Sequence, residues 1–362
     1  MSAHAVALVP GDGIGPELVA EARRVLDATG VDVAYESFDW GASRYRATGR
    51  VAPDNAVFEL CEFDAILLGA ICDRAVPREE SLWGLLLPLR QELDLWVNVR
   101  PSRLLPGIPS PLASPSAQLF DVLFLRENTE GEYAGVGGLV HSGRPGEVAL
   151  ESSVFTRSVV ERLFQHAFRE ARRRKGAVTS ATKSNASRFG YALWDRVAAV
   201  VAEDHPDVGF ESVLVDALAA RIVDRPESLD VVVASNLFGG ILGDLAGALQ
   251  GGLGMAASAS LAPDRSGPGL FEPVRSAEPE LAGRGVANPC GAIWSAAMLL
   301  EHLGEPAAAA AVMAGLSEVC AQGPRTPDVG GDAHTAAVGD AVAHRVARLV
   351  SGPSVGGVGV GR

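Results

Sequence analysis

Lysine is almost missing from these 362 residues: of the 31 basic side chains only Lys175 and Lys183 are lysine, and the other 29 are arginine. Arginine keeps its proton under ordinary conditions, whereas an amine can be tuned into an acid or base. A chain that uses arginine nearly everywhere and still carries two lysines makes each of them worth inspecting. Cysteine is scarce too: Cys61, Cys72, Cys290 and Cys320 stand far apart without CxxC spacing. That excludes a metal knuckle or a dithiol pair and suggests buried thiols in a reducing cytoplasm. No stretch approaches the roughly 18 uncharged apolar residues of a bilayer span. The opening MSAHAVALVPGDG has no basic segment before its short apolar run, so it reads as a strand rather than a signal peptide. Net charge is −13, from 44 acidic against 31 basic residues. Such a balance argues against nucleic acid as a partner, because phosphate attraction dominates that affinity. A small-molecule partner is expected.

What is present is 48% hydrophobic residues over a length that suggests two domains. Apolar runs alternate with amphipathic stretches: AVALVP, PELVAEARRVLDA, VDVAYES, DNAVFELC, DAILLGA, and later DVLFLRE, SVVERLFQHAFREARRR, AVTSAT, RFGYALWDRVAAVVAE, SVLVDAL and LDVVVAS. Strand alternating with helix marks an α/β fold with a substantially parallel sheet. Proline-rich Arg100 to Ser116 reads as a crossover between two βα series, and Ser260 to Pro289 as a second irregular stretch. The last helices are expected in NPCGAIWSAAMLLEHLG and TAAVGDAVAHRVARLV, and residues 351–362 as a flexible tail. No fixed-period repeat is visible. The basic cluster Ala171 to Lys175 closes a predicted helix, where cations complement the C-terminal dipole.

VPGDGIGPE follows the first strand and opens the first helix, yet Gly11, Gly13 and Gly15 give GxGxG followed by Pro16. A Rossmann turn requires GxGxxG and an acidic residue about 20 positions on. The turn is therefore read as non-Rossmann, with Pro16 suited to a first helical turn.

Together with LRQELDLWVNVRP, RENTEGEYAG, TSATKSN, VDAL, NLFGGILGD, FEPVRSAEPELAGRGVANP and RTPDVGG, this turn resembles the β-decarboxylating hydroxyacid dehydrogenases, the isopropylmalate and isocitrate dehydrogenase family. The motifs run in family order over roughly residues 5 to 350, and SLWGLLLPLR, RENTEGEY and TSATKSN look most like the tartrate/D-malate dehydrogenase branch. The resemblance implies an isopropylmalate-dehydrogenase-like α/β/α sandwich of two domains. The first takes both chain ends, 1–99 with 256–362, and the second, for dimerisation and substrate or metal binding, spans 100–255. It also implies a C2 homodimer in which the equivalents of Lys183 and Asp216 cross into the partner's site. The apolar segment NLFGGILGDLAGALQGGLG is a candidate for that interface.

The same resemblance assigns roles. Arg90, Arg100 and Arg126 match the family's carboxylate-binding arginines, which suits the bidentate geometry of guanidinium. Tyr133 matches the residue that protonates the enol left when CO2 departs, and Lys183 the one that acts as, or relays to, the base taking the hydroxyl proton. Magnesium or manganese is implied, a hard ion with oxygen ligands. Asp216 and Asp244 match two ligand positions, and Gly240 stands where a third carboxylate is usual. In the cofactor loop EPVHGSAPD becomes EPVRSAEPE, so that Arg275 and Ser276 replace His and Gly. Glu280 there matches the acid that selects NAD over NADP, and Asn288 the adenine-side contact. Trp83 is expected by helix spacing beside Leu86, Leu87 and Arg90, facing the substrate's variable group. A Trp there points to a short substituent.

Three readings follow. One is NAD- and metal-dependent oxidation, with decarboxylation, of a (2R)-malate-like acid such as D-malate, tartrate or a 3-alkylmalate. Another is a divergent, weakly active or inactive member with a binding or regulatory role, motivated by Gly240 and the Arg275 to Glu280 loop. The third is a specialised biosynthetic dehydrogenase for an unusual alkylmalate.

Overall fold

In the computed structural model, which describes residues 3–112 and 120–351, the apolar runs of the sequence line up in one ten-stranded sheet. Its strands are β1 (His4–Gly11), β2 (Val33–Ser37), β3 (Ala65–Ala70), β4 (Val97–Arg103), β5 (Asp121–Glu127), β8 (Ala177–Thr182), β9 (Gly209–Leu214), β10 (Val231–Ala234), β11 (Ala257–Leu261) and β12 (Gly269–Pro273). The order is β2-β1-β3-β12-β11-β4-β5-β10-β8-β9. Four parallel strands at one end and four at the other meet through antiparallel pairings of β12 with β11, β11 with β4, and β4 with β5. A separate two-stranded sheet pairs β6 (Gly131–Val140) with β7 (Val148–Val154).

Helices cover both faces, because every inner strand must bury both of its sides. Along β1, Val6 and Leu8 join one core while Ala7 and Val9 join another. The first core is closed by the helices Gly15–Ala28, Cys290–His302, Pro306–Gln322 and Thr335–Ser351. The helices Arg157–Arg172 and Gly190–Glu203 build a third, aromatic core around Phe164, Phe168 and Trp194. Trp194 is fully buried and its Nε1 donates to Ser180 Oγ at 2.9 Å, so burial leaves no orphaned donor. The layered α/β/α sandwich anticipated above is what forms.

Two irregular stretches are more ordered than expected. Arg100 to Arg103 complete β4, and the supposed crossover begins only at Leu104, with residues 113–119 outside the described region. Within Ser260 to Pro289, Gly269–Pro273 forms a strand inserted between β3 and β11. Five residues bounded by Gly and Pro carry too short a period to stand out. The 99/100 boundary falls inside β4. The tail expected over 351–362 lies, beyond Ser351, outside the described residues.

The basic cluster is consumed internally. Arg172 pairs with Asp207, Arg173 with Glu170, and Arg174 with Asp121 and Asp230. Lys175 Nζ donates to the carbonyls of Asp121 and Leu229. No helix among the described residues is long and apolar enough to cross a membrane. Contrary to the expectation of buried thiols, Cys61 is exposed and Cys72 is partly so, while Cys290 and Cys320 are buried.

Candidate active site

Where the sheet changes from parallel to antiparallel pairing, polar side chains replace apolar ones on one face. Strand register places Asn98 opposite Arg126 on one side and Ser260 on the other, and alternation adds Arg100 to the same face. Asn98 Nδ2 donates to Ser258 Oγ at 2.7 Å and to Ser260 Oγ at 3.1 Å, while its Oδ1 accepts from Arg100 Nε at 2.7 Å. Asn98 is thus the bracket that fixes Arg100. Nothing in the sequence singled it out except its polarity within an apolar strand.

A cavity of about 390 Å³ opens beside this face, and Arg90, Arg100, Arg126, Tyr133, Asp244 and Arg275 line it. All four guanidiniums are buried, and three have carboxylate partners. Arg90 pairs with Glu272 at 2.8 Å, Arg100 with Asp244 at 2.7 Å, and Arg275 bidentately with Glu278 at 2.5 and 2.7 Å. Arg126 differs: its Nε donates to the Asn236 carbonyl at 2.6 Å and its Nη2 to Asn236 Oδ1 at 2.7 Å, both neutral. Burial, then repulsion from Arg100 and Arg90, lowers its pKa to about 9. Burial also lowers that of Arg100, against the opposing pull of Asp244. The Tyr133 ring lies 5.5 Å from the Arg126 guanidinium carbon. Three of the predicted arginines, the tyrosine and Asp244 therefore do converge. Glu272 and Asn236, which the sequence reading missed, hold two of them.

Leu82, Leu86, Leu87, Ile71 and Leu253 supply the apolar wall. Trp83 does not line it, which corrects the expected helix face. The segment from Arg78–Ser81 to Leu87–Glu92 passes through a π-helical turn over Leu82–Leu86, where Leu87 N–H bonds back to the Leu82 carbonyl. One wide turn breaks the spacing of three, four and seven on which the expectation relied. Trp83 instead is 44% exposed and packs on Gly135 of β6.

Lys183 and Asp216 are absent from the cavity wall. They pair with each other, Lys183 Nζ donating to Asp216 Oδ1 at 2.6 Å, and the ammonium lowers the carboxyl's pKa. Asp216 and Asp244 therefore occupy separate places in the protomer, each tied to a cation. Among the described residues no three His, Cys, Asp or Glu side chains gather where a metal ion could sit. Within one protomer the donor set does not complete a divalent centre.

The cofactor-side residues are mixed. The Gly-rich turn is closed by the protein's own backbone: Asp12 N–H donates to the Ala70 carbonyl and Ile14 N–H to that of Ala277. A Cβ on Gly13, held at φ +57°, would collide with the Ala277 carbonyl. This is a packing joint, in keeping with its non-Rossmann spacing. Asn288 is buried, with Nδ2 on Asp328 at 3.1 Å and Oδ1 accepting from Cys290 N–H at 3.0 Å. Its amide is already committed. Glu280 is exposed with only a 3.4 Å contact to Arg74, leaving an acceptor free for a diol. Among the described residues buried Arg275 Nη1 has no partner, and Ser276 lines the cavity beside it. An orphaned guanidinium donor and an open carboxylate on one loop suit a dinucleotide.

Comparison with known proteins gives a consistent picture. Residues 5–342 match the isocitrate/isopropylmalate dehydrogenase family profile. A probable tartrate dehydrogenase/decarboxylase of Agrobacterium vitis is 44% identical over 354 residues, 96% of this chain and 99% of that protein. The decarboxylating D-malate dehydrogenase of Escherichia coli K12 is 43% identical over 360 residues, 96% of this chain and all of its own length. In structure, isocitrate dehydrogenase from Methylococcus capsulatus superposes with a TM-score of 0.87 at 34% identity, covering 95% of this chain and 99% of that one.

Proposed function

Since the chain belongs to the isocitrate/isopropylmalate dehydrogenase family, we propose that it oxidises a (2R)-malate-like 2-hydroxy acid with NAD and releases CO2 from it. The observation that carries this is the convergence of buried Arg90, Arg100 and Arg126 with Tyr133 on one cavity. Guanidinium forks in a site shielded from water hold carboxylates strongly and leave little freedom of orientation. The similarity to a tartrate and a D-malate enzyme supports the same substrate class.

In the proposed reaction the arginines fix the two carboxylates of the acid. Lys183 of a second subunit, as the neutral amine, takes the proton from the hydroxyl oxygen as a hydride leaves the carbon that bears it. NAD, held by Glu280 and Arg275, would supply the hydride acceptor. Breaking the bond to the β-carboxylate then sends its electron pair into the new ketone, giving CO2 and an enolate. Tyr133 gives a proton to the enolate carbon, so one proton is taken and one returned. Within one protomer the described residues offer no complete donor set for the metal that the resemblance implies.

Two further parts of the reading are structural. We propose the division into a domain of both chain ends and a middle domain, because β1, β2, β3, β11 and β12 form one half of the sheet and β5, β8, β9 and β10 the other. A homodimer is supported by apolar surface on the β6–β7 hairpin, where Leu139 is 62% and Leu150 65% exposed, and by Ile241, 56% exposed on the helix Asn236–Leu249. Light scattering of the purified chain tests it. A cytoplasmic setting remains part of the proposal.

Removing Trp83 from the cavity withdraws the argument for a short substituent. The leucine-rich wall favours an alkylmalate over bare malate, which is the specialised-dehydrogenase reading. A panel of D-malate, the tartrates, 3-alkylmalates and isocitrate, followed by NADH absorbance and CO2 release, decides among them. If none reduces NAD, the dehydrogenase reading is wrong and a binding role takes its place.

A further inference from the structure

The cavity's charges do not balance. Arg90, Arg100 and Arg275 each face a carboxylate of the protein, but among the described residues none lies within ion-pair distance of Arg126. The reason is visible at Gly240 on the helix Asn236–Leu249. A Cβ built there would lie 3.5 Å from Arg126 Cζ and Nη1 and 3.7 Å from Nη2. Any acidic side chain at this position would rest directly on the guanidinium. Glycine leaves that face of the guanidinium uncovered by any side chain from position 240.

A buried, unpaired guanidinium is costly, and an anionic ligand is the natural way to relieve it. The carboxylates that would be needed for a cation are committed: Asp244 accepts from Arg100, and Asp216 from Lys183. Bringing a partner's Asp216 into the cavity would still leave two carboxylates, both already paired with cations. Magnesium can be held by one or two carboxylates with water completing its shell, so what weakens this set is that each carboxylate is already neutralised by a cation.

We propose that this site binds its 2-hydroxy dicarboxylate on arginine charge alone, without a divalent cation, and that Arg126, uncovered by Gly240, is the anchor for one carboxylate. The proposal rests on the substrate class given above, and it reverses the expected effect of restoring an acid at position 240. If a metal were the anchor, Gly240→Asp would strengthen binding by completing the ligand set. Here Gly240→Asp covers Arg126 with the protein's own carboxylate and weakens it.

The test is calorimetry on the full-length protein with D-malate, the tartrates and 3-isopropylmalate, in EDTA and again with Mn²⁺, alongside paramagnetic resonance of Mn²⁺ uptake. We expect at least one of these acids to bind in EDTA, with an affinity that Mn²⁺ changes by less than about threefold, and no stoichiometric Mn²⁺ uptake. Gly240→Asp should lower the metal-free affinity by about tenfold or more, a typical scale for one charge-assisted contact. Gly240→Asn, equal in size but neutral, should lower it far less, and it serves as the reading if the aspartate variant fails to fold. Stoichiometric Mn²⁺ uptake with acid binding only in its presence overturns the inference and leaves the dehydrogenase reading standing. Metal-free binding without NADH formation under any condition does the opposite. Acid binding in neither condition overturns both.

Discussion

Lys183 Nζ and Asp216 Oδ1 stand 2.6 Å apart, outside the wall of the cavity that holds Arg126 and Tyr133. The two groups with proton-transfer chemistry, Lys183 and Tyr133, are therefore not joined within one protomer. If a partner supplies Lys183, a dimer made from Lys183→Ala and Arg126→Ala subunits contains one site with both residues intact and one with neither. Each homodimeric variant should lose at least about a hundredfold in kcat, the usual scale for a missing base or anchor. Mixing or coexpressing them should restore up to half of the wild-type rate in the heterodimer. Activity that stays at the level of the parent variants would show that each site is built from a single chain.

Tyr133 is placed to give a proton, while its ring packs on Arg126 at 5.5 Å. Tyr133→Phe keeps the ring and removes the hydroxyl. Steady-state kinetics should show kcat reduced by about a hundredfold or more with KM changed by only a few-fold. A purely structural tyrosine would move KM or stability instead, and kcat would survive.

The sheet was legible because its strands are continuous apolar runs that need no context to be recognised. The motif arginines were legible because their positions in order carried them, even though 29 arginines make any single one uninformative. Three features were hidden, each for a physical reason. Gly269–Pro273 is a central strand, but five residues between turn formers show no period. Glu272 and Asn236 act only through partners far along the chain, Arg90 and Arg126. Trp83 followed helical arithmetic that a π-helical turn set aside, and local propensity does not announce such a turn. Gly240 was noticed as a missing ligand. Its position over Arg126 shows that the missing charge also changes what the arginine can do.

Gly135, at φ +68°, sits under the Trp83 ring so closely that a Cβ would come within 2.6 Å of Cη2. Both the backbone conformation and the contact oppose any larger side chain. Gly135→Ala should destabilise the protein by about 1–3 kcal/mol through strain and displacement of the indole. Denaturant unfolding measures this loss. Adding Trp83→Ala should recover part of it, since the clash is then gone while the backbone strain remains. A double variant no more stable than Gly135→Ala would mean that the indole contact does not matter.

His166 offers a pH test remote from the cavity. Its ring packs edge-on against Trp96 at 5.9 Å, and burial, then Arg169 and Arg173, lower its pKa from 6.5 to about 4. The unfolded chain takes up this proton as pH falls through 6.5, whereas the folded chain resists until about pH 4. In that window the unfolded state binds more protons, so stability falls as the solution is acidified. The full shift corresponds to at most about 3 kcal/mol, and partial solvent contact of the ring reduces it to about 1–2 kcal/mol. His166→Gln removes this component without adding a charge. Unfolding free energies of wild type and variant, measured from pH 7.5 to 4.5, should therefore converge or cross in the variant's favour toward acid. A difference that stays constant over that range would mean that His166 titrates alike in the folded and unfolded chains.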